Sequence, residues 1–131
     1  MFTRIFYRLQ DAFAQVKWAF QRMFRGWDDS AVFGVDRHIA ILIPKLVREL
    51  LKDETGTPGA MFSDSDFDKE GSVSPEIEKQ RNAEWKQILT DIAEGFEDYS
   101  TNGECWMFEG SSEKFEKAFD LFRKYFSSLW D

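Results

Sequence analysis

SEKFEKAFDLFRKYFSSLWD, residues 112–131, is the stretch that decides the fold. At helical spacing its large apolar side chains fall on one side, and these are Phe115, Phe119, Phe122, Phe126 and Leu129. The residues that flank this stripe are Ala118, Leu121, Tyr125 and Trp130. Because so aromatic a helix is not stable alone in water, we expect the rest of the chain to cover it. The stretch therefore predicts an interior helix against which the upstream helices pack.

Residues 2–24 predict the first upstream helix, because apolar side chains recur at i, i+3, i+4 and i+7 and Gly26 follows as a terminator. Residues 1–25 hold five basic residues and one acid, Asp11, whereas the rest of the chain holds 12 basic and 23 acidic residues. We interpret the apolar stripe as core and the basic side as attracted to the acidic remainder of the molecule. The alternative is a helix that lies on an anionic membrane.

A second helix is predicted over residues 37–53, with Asp36 as its N-cap. Residues 27–36, which precede it, are rich in turn-forming types and predict a loop. Pro44 lacks the N–H that a helix interior needs, so we expect a kink near 40–44 or a helix that begins at Pro44. The side chains predicted to face inward are Ile39, Leu42, Ile43, Leu46, Val47 and Leu50.

A third helix is predicted over residues 75–99, with Ser74 as its cap and Pro75 as its first residue. Its inward-facing side chains are predicted to be Trp85, Ile88, Leu89, Ile92, Phe96 and Tyr99. Residues 54–74 are rich in Gly, Pro, Ser, Thr and Asp and predict the longest loop. Residues 100–111 predict the loop that leads to the last helix.

Together these elements predict an all-α fold. The expected architecture is a compact, kinked bundle of about four helices, with a long acidic loop between the second and third helices. Ser111 or Ser112 is expected to cap the last helix. At 131 residues the chain has the length of one domain, so we predict a single helical domain over residues 1–131.

Composition argues against several classes of protein. A chain with 43% hydrophobic and 17% aromatic residues is not disordered as a whole. The net charge of -7 and a pI near 4.8 argue against a nucleic-acid binder, which needs a basic face. We find no secretory signal and no apolar run of the roughly 18 residues that a membrane span requires. Cys105, the only cysteine, fits a buried thiol in a reducing compartment. We therefore expect a soluble intracellular protein, and a membrane partner is not favoured.

The segment DFDKEGSVSPEI, which begins at Asp66, has the pattern of a calcium-binding loop. Acids occupy its first, third and fifth positions, which are Asp66, Asp68 and Glu70, and Gly71 stands where the loop turns sharply. Its twelfth position, where a bidentate glutamate should close the site, is Ile77. We prefer a solvated acidic loop and keep a bound calcium ion as the alternative.

Trp27, Asp28 and Asp29, followed by Asp36 and His38, form a second candidate site. Carboxylates with an imidazole can bind a divalent cation or move protons. The chain has no second histidine, no CxxC pair and no Gly-rich phosphate loop to complete a known catalytic set. We therefore interpret the three aspartates as caps of helix N-termini and expect no enzymatic activity.

The segment RGWDDSAVFGVDRHIAILIPKL, residues 25–46, and the terminal DLFRKYFSSLWD, residues 120–131, together resemble a family of short tailed-bacteriophage proteins. In that family a basic amphipathic helix leads to a GWDDS loop, and the last helix has the pattern LFxKYFxxLWD. The residues that resemble its W-x-x-I-L helix are Trp85, Ile88, Leu89 and Phe96. The resemblance implies a viral origin and an all-α fold, and it implies no chemistry.

The favoured function is non-enzymatic protein–protein binding, in the cytoplasm of the infected bacterial host or in the virion. Acids beside tryptophans indicate the contact surface, because tryptophan often anchors interfaces. The predicted partner-binding residues are Trp27, Asp28, Asp29, Asp36, Trp130 and Asp131. The bound partner is either another protein or a second copy of this chain.

Two alternatives stay open. A small-ligand binder, such as a sponge for a nucleotide-like signal of host defence, would need basic residues, and the candidates are Arg25, Arg37 and Lys45. A calcium- or metal-binding protein, including a metal-dependent enzyme, would act through the acidic loop 64–78. Apart from such a calcium ion, no cofactor is expected.

Overall fold

The structure is a computed structural model that describes residues 2–53, 56–102 and 112–130, with side chains from Tyr7 onward in the first range. Five α-helices form in these ranges, which confirms the all-α prediction. They are α1 (Phe2–Arg25), α2 (Asp29–Phe33), α3 (Val35–Lys52), α4 (Pro75–Asn102) and α5 (Glu113–Tyr125). Single 3₁₀ turns occur at Gly59–Met61, Asp64–Asp66 and Phe126–Ser128. The described part of the chain has no β-strand, only an isolated antiparallel bridge between Phe67 and Val73.

The chain divides into two compact units, residues 1–38 and residues 39–131. The first unit holds α1, α2 and the first turn of α3. The second unit holds the rest of α3, the acidic loop, α4 and α5. The prediction of one domain over the whole chain stays a prediction.

Residues 27–36 were predicted as a loop, but they contain the short helix α2, and α3 begins earlier than expected. The reason is that Gly34 both ends α2 and starts α3, since its carbonyl accepts a hydrogen bond from the His38 N–H at 2.9 Å. Asp36 is therefore not the N-cap. It lies in the first turn of α3, where a carboxylate interacts favourably with the helix dipole.

α3 continues through Pro44, so the prediction of a helix that begins at this proline is wrong. The expected kink stays a prediction. The inward face is also different from the prediction: Ala40, Pro44 and Val47 are buried, while Ile43 and Leu50 pack partly against the core. The predicted core residues that are instead exposed are Ile39, Leu42 and Leu46. Most apolar side chains of α3 cover an arc of about 200°, wider than one neighbour can bury, so periodicity did not determine which part of that arc faces the core.

Most of the core of the second unit lies between α4 and α5, and Ala40 and Val47 of α3 complete it. The buried residues of α4 are Trp85, Leu89, Ile92, Ala93, Gly95 and Phe96. The closest approach is at Gly95, where an added Cβ atom would stand 2.1 Å from the Ala118 Cβ and 2.8 Å from the Lys114 carbonyl oxygen. Only glycine fits there, which lets the two helices pack backbone to backbone. The α4 part of the predicted core is thus confirmed, with Ile88 and Tyr99 partly buried.

The rings of α5 surround Phe96. Its ring centroid lies 5.3 Å from that of Phe115, 5.5 Å from that of Phe122 and 6.1 Å from that of Phe119. The buried centre of the α5 face is Ala118, a residue that the sequence placed at the flank, because the small residue faces Gly95. Phe119 and Phe126 remain largely exposed, so the prediction that the whole phenylalanine stripe is interior is only partly right.

The helix ends of the second unit follow the predicted capping chemistry. Ser112 caps α5, since its Oγ atom accepts a hydrogen bond from the Phe115 N–H at 3.2 Å. Ser74 caps α4 in the same way, accepting from the Ile77 N–H at 3.3 Å. α5 ends at Tyr125, earlier than predicted, and a 3₁₀ turn follows.

In the first unit, the apolar stripe of α1 is exposed. The exposed fractions lie between 55% and 82% for Leu9, Phe13, Val16, Phe20 and Phe24. The interpretation of this stripe as core is therefore wrong for the described side chains. α2, the other complete helix of this unit, has only five residues and is too short to cover a helix of 24. No described helix is long and apolar enough to cross a membrane.

Candidate partner-binding site

An apolar groove lies in the second unit, between α3 and the end of the chain. Its volume is about 410 Å³, and every residue that lines it is apolar. The lining residues are Ile43, Leu46, Val47, Leu50, Phe122, Phe126, Leu129 and Trp130. We define this set as the α3–tail groove. Three members are unusually open to solvent, with exposed fractions of 70% for Trp130, 65% for Phe126 and 60% for Leu46.

The end of α5 shapes one wall of the groove. The 3₁₀ turn at Phe126–Ser128 is closed by a hydrogen bond from the Leu129 N–H to the Phe126 carbonyl at 3.3 Å, and Ser128 is buried. Leu129 packs partly against the core, whereas the next residue, Trp130, is exposed. Phe126, in this turn, and Trp130, after it, both line the groove.

The aromatic wall is anchored to the core. The Phe122 ring packs edge to face on Phe96 at 5.5 Å and on Phe126 at 5.3 Å. Tyr125, one turn after Phe122 in α5, packs its ring against Trp85 of α4, with the ring centroids 5.6 Å apart. Phe122, held by these ring contacts, loses little side-chain entropy when a ligand binds, which favours affinity.

The opposite wall is supported by the buried Val47, and an exposed ion pair joins α3 to α4 beside it. The Arg48 guanidinium donates to both carboxylate oxygens of Glu97, at 2.6 and 2.7 Å. These hydrogen bonds from Arg48 lower the pKa of Glu97 and raise that of Arg48. Arg48 lies between two groove residues on α3, Val47 and Leu50. The bidentate pair therefore helps to fix the position of the α3 wall.

Of the residues predicted to bind a partner, Trp130 lies in the α3–tail groove, and Asp131 falls outside the described residues. Trp27, Asp28 and Asp29 lie in the first unit, at the junction of α1 and α2. The two groups thus belong to different units, and the surface that would combine them stays a prediction.

Asp28 has a structural role at this junction. It is buried, and its carboxylate accepts a hydrogen bond from the Ser30 N–H at 2.9 Å as the N-cap of α2. The Ser30 hydroxyl and the Arg22 guanidinium also donate to it. The Ser30 hydroxyl contributes most to lowering the pKa of Asp28, ahead of Arg22. The interpretation of Asp28 as a helix cap is confirmed.

Asp29 is not a cap and is instead the anionic centre of a small ion-pair network. It accepts from Gln21 at 2.9 Å and from Arg25 at 2.5 Å, and Lys17 lies 3.1 Å away. These groups, Gln21 foremost, lower the pKa of Asp29 to about 2. Arg25 also stacks over the Trp27 ring at 4.0 Å. The two aspartates thus have several partners within the same unit, which leaves them less available for another protein.

The residues predicted for a small ligand belong to different units: Arg25 and Arg37 to the first, and Lys45 to the second. Arg25 belongs to the ion-pair network just described, Arg37 is exposed in the first turn of α3, and Lys45 is exposed further along that helix. None of them lines the α3–tail groove. His38, the histidine considered for metal or proton chemistry, is half-buried in α3.

Two carboxylates of the acidic loop, those of Asp66 and Asp68, accept hydrogen bonds from groups of the same chain. Asp66 is buried and accepts two hydrogen bonds from Arg81, at 2.9 and 3.0 Å, which with those from Ser63 lower its pKa to about 2. Asp68 accepts from the backbone N–H groups of Glu70 and Ser72, at 2.9 and 2.8 Å. No group of three potential ligands to a metal forms among residues 2–53, 56–102 and 112–130. The calcium hypothesis stays a prediction, and Cys105 falls outside these ranges.

Sequence reasoning assigned most of the groove residues to the core. Ile43, Leu46, Val47 and Leu50 were all predicted to face inward, but only Val47 is fully buried. The available signal was an excess of apolar side chains on α3, more than one buried face can hold. Such an excess indicates a second apolar surface, but it does not say where that surface lies.

Comparison with known proteins identifies no relative. No family model matches the chain, and neither the curated proteins nor the solved structures gave a match. The resemblance to tailed-bacteriophage proteins therefore stays a prediction that rests on the quoted segments.

Proposed function

We propose that this chain is a non-enzymatic bacteriophage protein that binds another protein through the α3–tail groove. The observation that carries the proposal is the groove itself, an apolar depression of about 410 Å³ bordered by exposed Trp130, Phe126 and Leu46. Large exposed apolar surfaces on a folded unit mark interaction sites, and tryptophan is a frequent anchor of binding energy.

The chemistry of the lining favours a polypeptide over a nucleotide-like ligand. A nucleotide carries phosphates that need cations or several N–H donors, and the groove is lined only by apolar side chains. A volume of about 410 Å³ suits a few large apolar side chains of an amphipathic segment, which would enter from an otherwise polar partner. The preformed aromatic wall, with Phe122 anchored on Phe96, supports such a docking mode.

The bacteriophage origin is supported by the GWDDS segment and the terminal LFRKYFSSLWD segment, which resemble tailed-phage proteins. The terminal segment supplies Phe122, Phe126, Leu129 and Trp130 to the groove. The place of action that follows is the cytoplasm of the infected bacterium or the virion.

A matched pair of α3 variants tests the proposal. Leu46→Asp puts a charge in the groove, whereas Ile41→Asp puts the same charge at another exposed position of the same helix, outside the groove. Each variant is produced with an affinity tag and pulled down from the cells together with any protein it binds. The affinity of that protein for each variant is then measured with purified components. We expect Leu46→Asp to weaken binding at least about tenfold, because one buried apolar anchor of 1.4 kcal/mol already accounts for that factor.

Ile41→Asp should bind within about twofold of the wild type. Equal affinity of the two variants would contradict the groove as the binding site. Copurification of a small molecule with no protein partner, identified by mass spectrometry of the captured material, would favour the ligand-binding alternative.

A further inference from the structure

α1 has an apolar face that extends along its whole described length. Its exposed members include Leu9, Phe13, Val16, Phe20, Met23 and Phe24. At 100° per residue these side chains span about 100° of the helix circumference, a wider face than the narrow a/d seam of a coiled coil. Phe20 and Phe24 stack on each other with centroids 6.4 Å apart, which makes one end of this face a continuous aromatic surface.

The remaining side of α1 is basic. In sequence, the helix carries Arg4, Arg8, Lys17, Arg22 and Arg25 against the single acid Asp11. Lys17, Arg22 and Arg25 pair with the aspartates at the start of α2, yet their side chains remain 40–56% exposed. Long cationic side chains that border an apolar face can reach the headgroups of a lipid surface while the apolar face enters the acyl region.

The charges of α1 favour a lipid surface over a second copy of α1 as the partner of its apolar face. If two copies paired through this face, Lys17 and Arg8, the cations nearest its two edges, would lie beside the contact in both, and Asp11 is the only acid on the helix that could compensate. Like charges at the flanks destabilise such a pair. An anionic surface attracts the same charges.

The length and composition of α1 suit a helix that lies in the plane of a membrane. Its 24 residues span about 36 Å, and it combines a strongly segregated apolar face with a low overall hydrophobicity. No described helix can cross a bilayer, so the apolar face can enter lipid only from the surface. We propose that α1 binds anionic phospholipid bilayers at their surface, with its phenylalanine face inserted at the interface. This site is separate from the α3–tail groove.

Cosedimentation of the full-length protein with vesicles tests the proposal. Vesicles of phosphatidylcholine alone are compared with vesicles that contain about one third phosphatidylglycerol. We expect binding to the anionic vesicles, and a loss of at least about tenfold for Phe13→Asp and for Phe20→Asp, because each change removes an inserted ring and adds a like charge to an anionic surface. High salt should weaken binding as well, since it screens the basic side.

Leu46→Asp, in the α3–tail groove, is the matched control for charge and exposure, and it should leave vesicle binding unchanged. The α1 variants in turn should retain capture of a groove partner, so failure of either proposal is seen separately. Circular dichroism of each variant checks that the helices are intact. No binding to anionic vesicles, or binding that Phe13→Asp and Phe20→Asp do not alter, overturns the proposal. The proposal is also overturned if, without vesicles, α1 binds a second copy or an acidic protein and the protein does not bind lipid.

Discussion

α5 and α1 carry the same kind of sequence, an aromatic stripe at helical spacing opposite a charged side, but they differ in what covers the stripe. Phe115 and Phe122 of α5 pack around Phe96, and Ala118 is buried. In α1, Phe13 and Phe20 remain exposed. The difference teaches that periodicity predicts an apolar face without predicting its partner.

The feature that distinguishes the two helices lies on the opposing element. α4 offers a glycine at the point of closest approach, Gly95, and a large ring beside it, Phe96, so a second helix can pack closely and still fill the space. The first unit offers α2, a helix of only five residues. An apolar stripe is buried where a neighbouring element allows close backbone approach and leaves room for aromatic rings. Where no such neighbour exists, the stripe stays exposed and can bind a ligand.

The largest expected effect tests this contrast directly. Phe96→Ala removes a ring that is 2% exposed and contacts three rings of α5, so it should lower the free energy of unfolding by about 4 kcal/mol. Phe20→Ala on α1 should change it by less than about 0.5 kcal/mol, because that ring is already solvated. Denaturant unfolding followed by circular dichroism gives both values. Comparable losses in the two variants would mean that the α1 stripe is buried after all.

A smaller effect is expected at the point of closest helix approach. Gly95→Ala would normally stabilise a helix by up to about 1 kcal/mol, but here the new methyl group meets Ala118 and the Lys114 carbonyl. We expect a net destabilisation of about 2 kcal/mol, since the α4–α5 pair must move apart. Gly59→Ala is the control, because nothing lies within 4 Å of a Cβ added there. A Gly95→Ala variant as stable as Gly59→Ala would show that α4 and α5 do not pack this closely.

Much of the second unit could be predicted from sequence. The α4 core, for example Trp85 and Ile92, and the caps at Ser74 and Ser112 followed from patterns that act within one helix. These predictions succeed because capping and periodicity are local properties of the chain.

What could not be predicted depends on contacts between elements. The rotation of α3 that buries Ala40 and leaves Leu46 exposed is set by the neighbour against which the helix packs, because both residues lie within one wide apolar arc. The α3–tail groove also required the end of α5 at Tyr125, which periodicity alone placed further along. The role of Asp28 as a cap was expected, whereas the pairing of Asp29 with Gln21 required the α1–α2 geometry.

The smallest expected effect concerns acid. Because the folded-state pKa of Asp29 is about 2, below the ordinary 3.8, its ionised carboxylate stabilises the α1–α2 junction at pH above about 4. That contribution is lost as the pH falls from 3.8 toward 2, when Asp29 is protonated and its bonds to Gln21, Lys17 and Arg25 weaken. An NMR titration should therefore show amide signals of α2 changing in this window while the α4–α5 core signals persist. In Asp29→Asn the α2 signals should differ from the wild type near neutral pH, and a smaller acid-induced change should remain, because the pKa of Asp28, the N-cap of α2, is also lowered and this carboxylate is still present. If the wild-type core signals changed together with those of α2, the junction would not be an independent local structure.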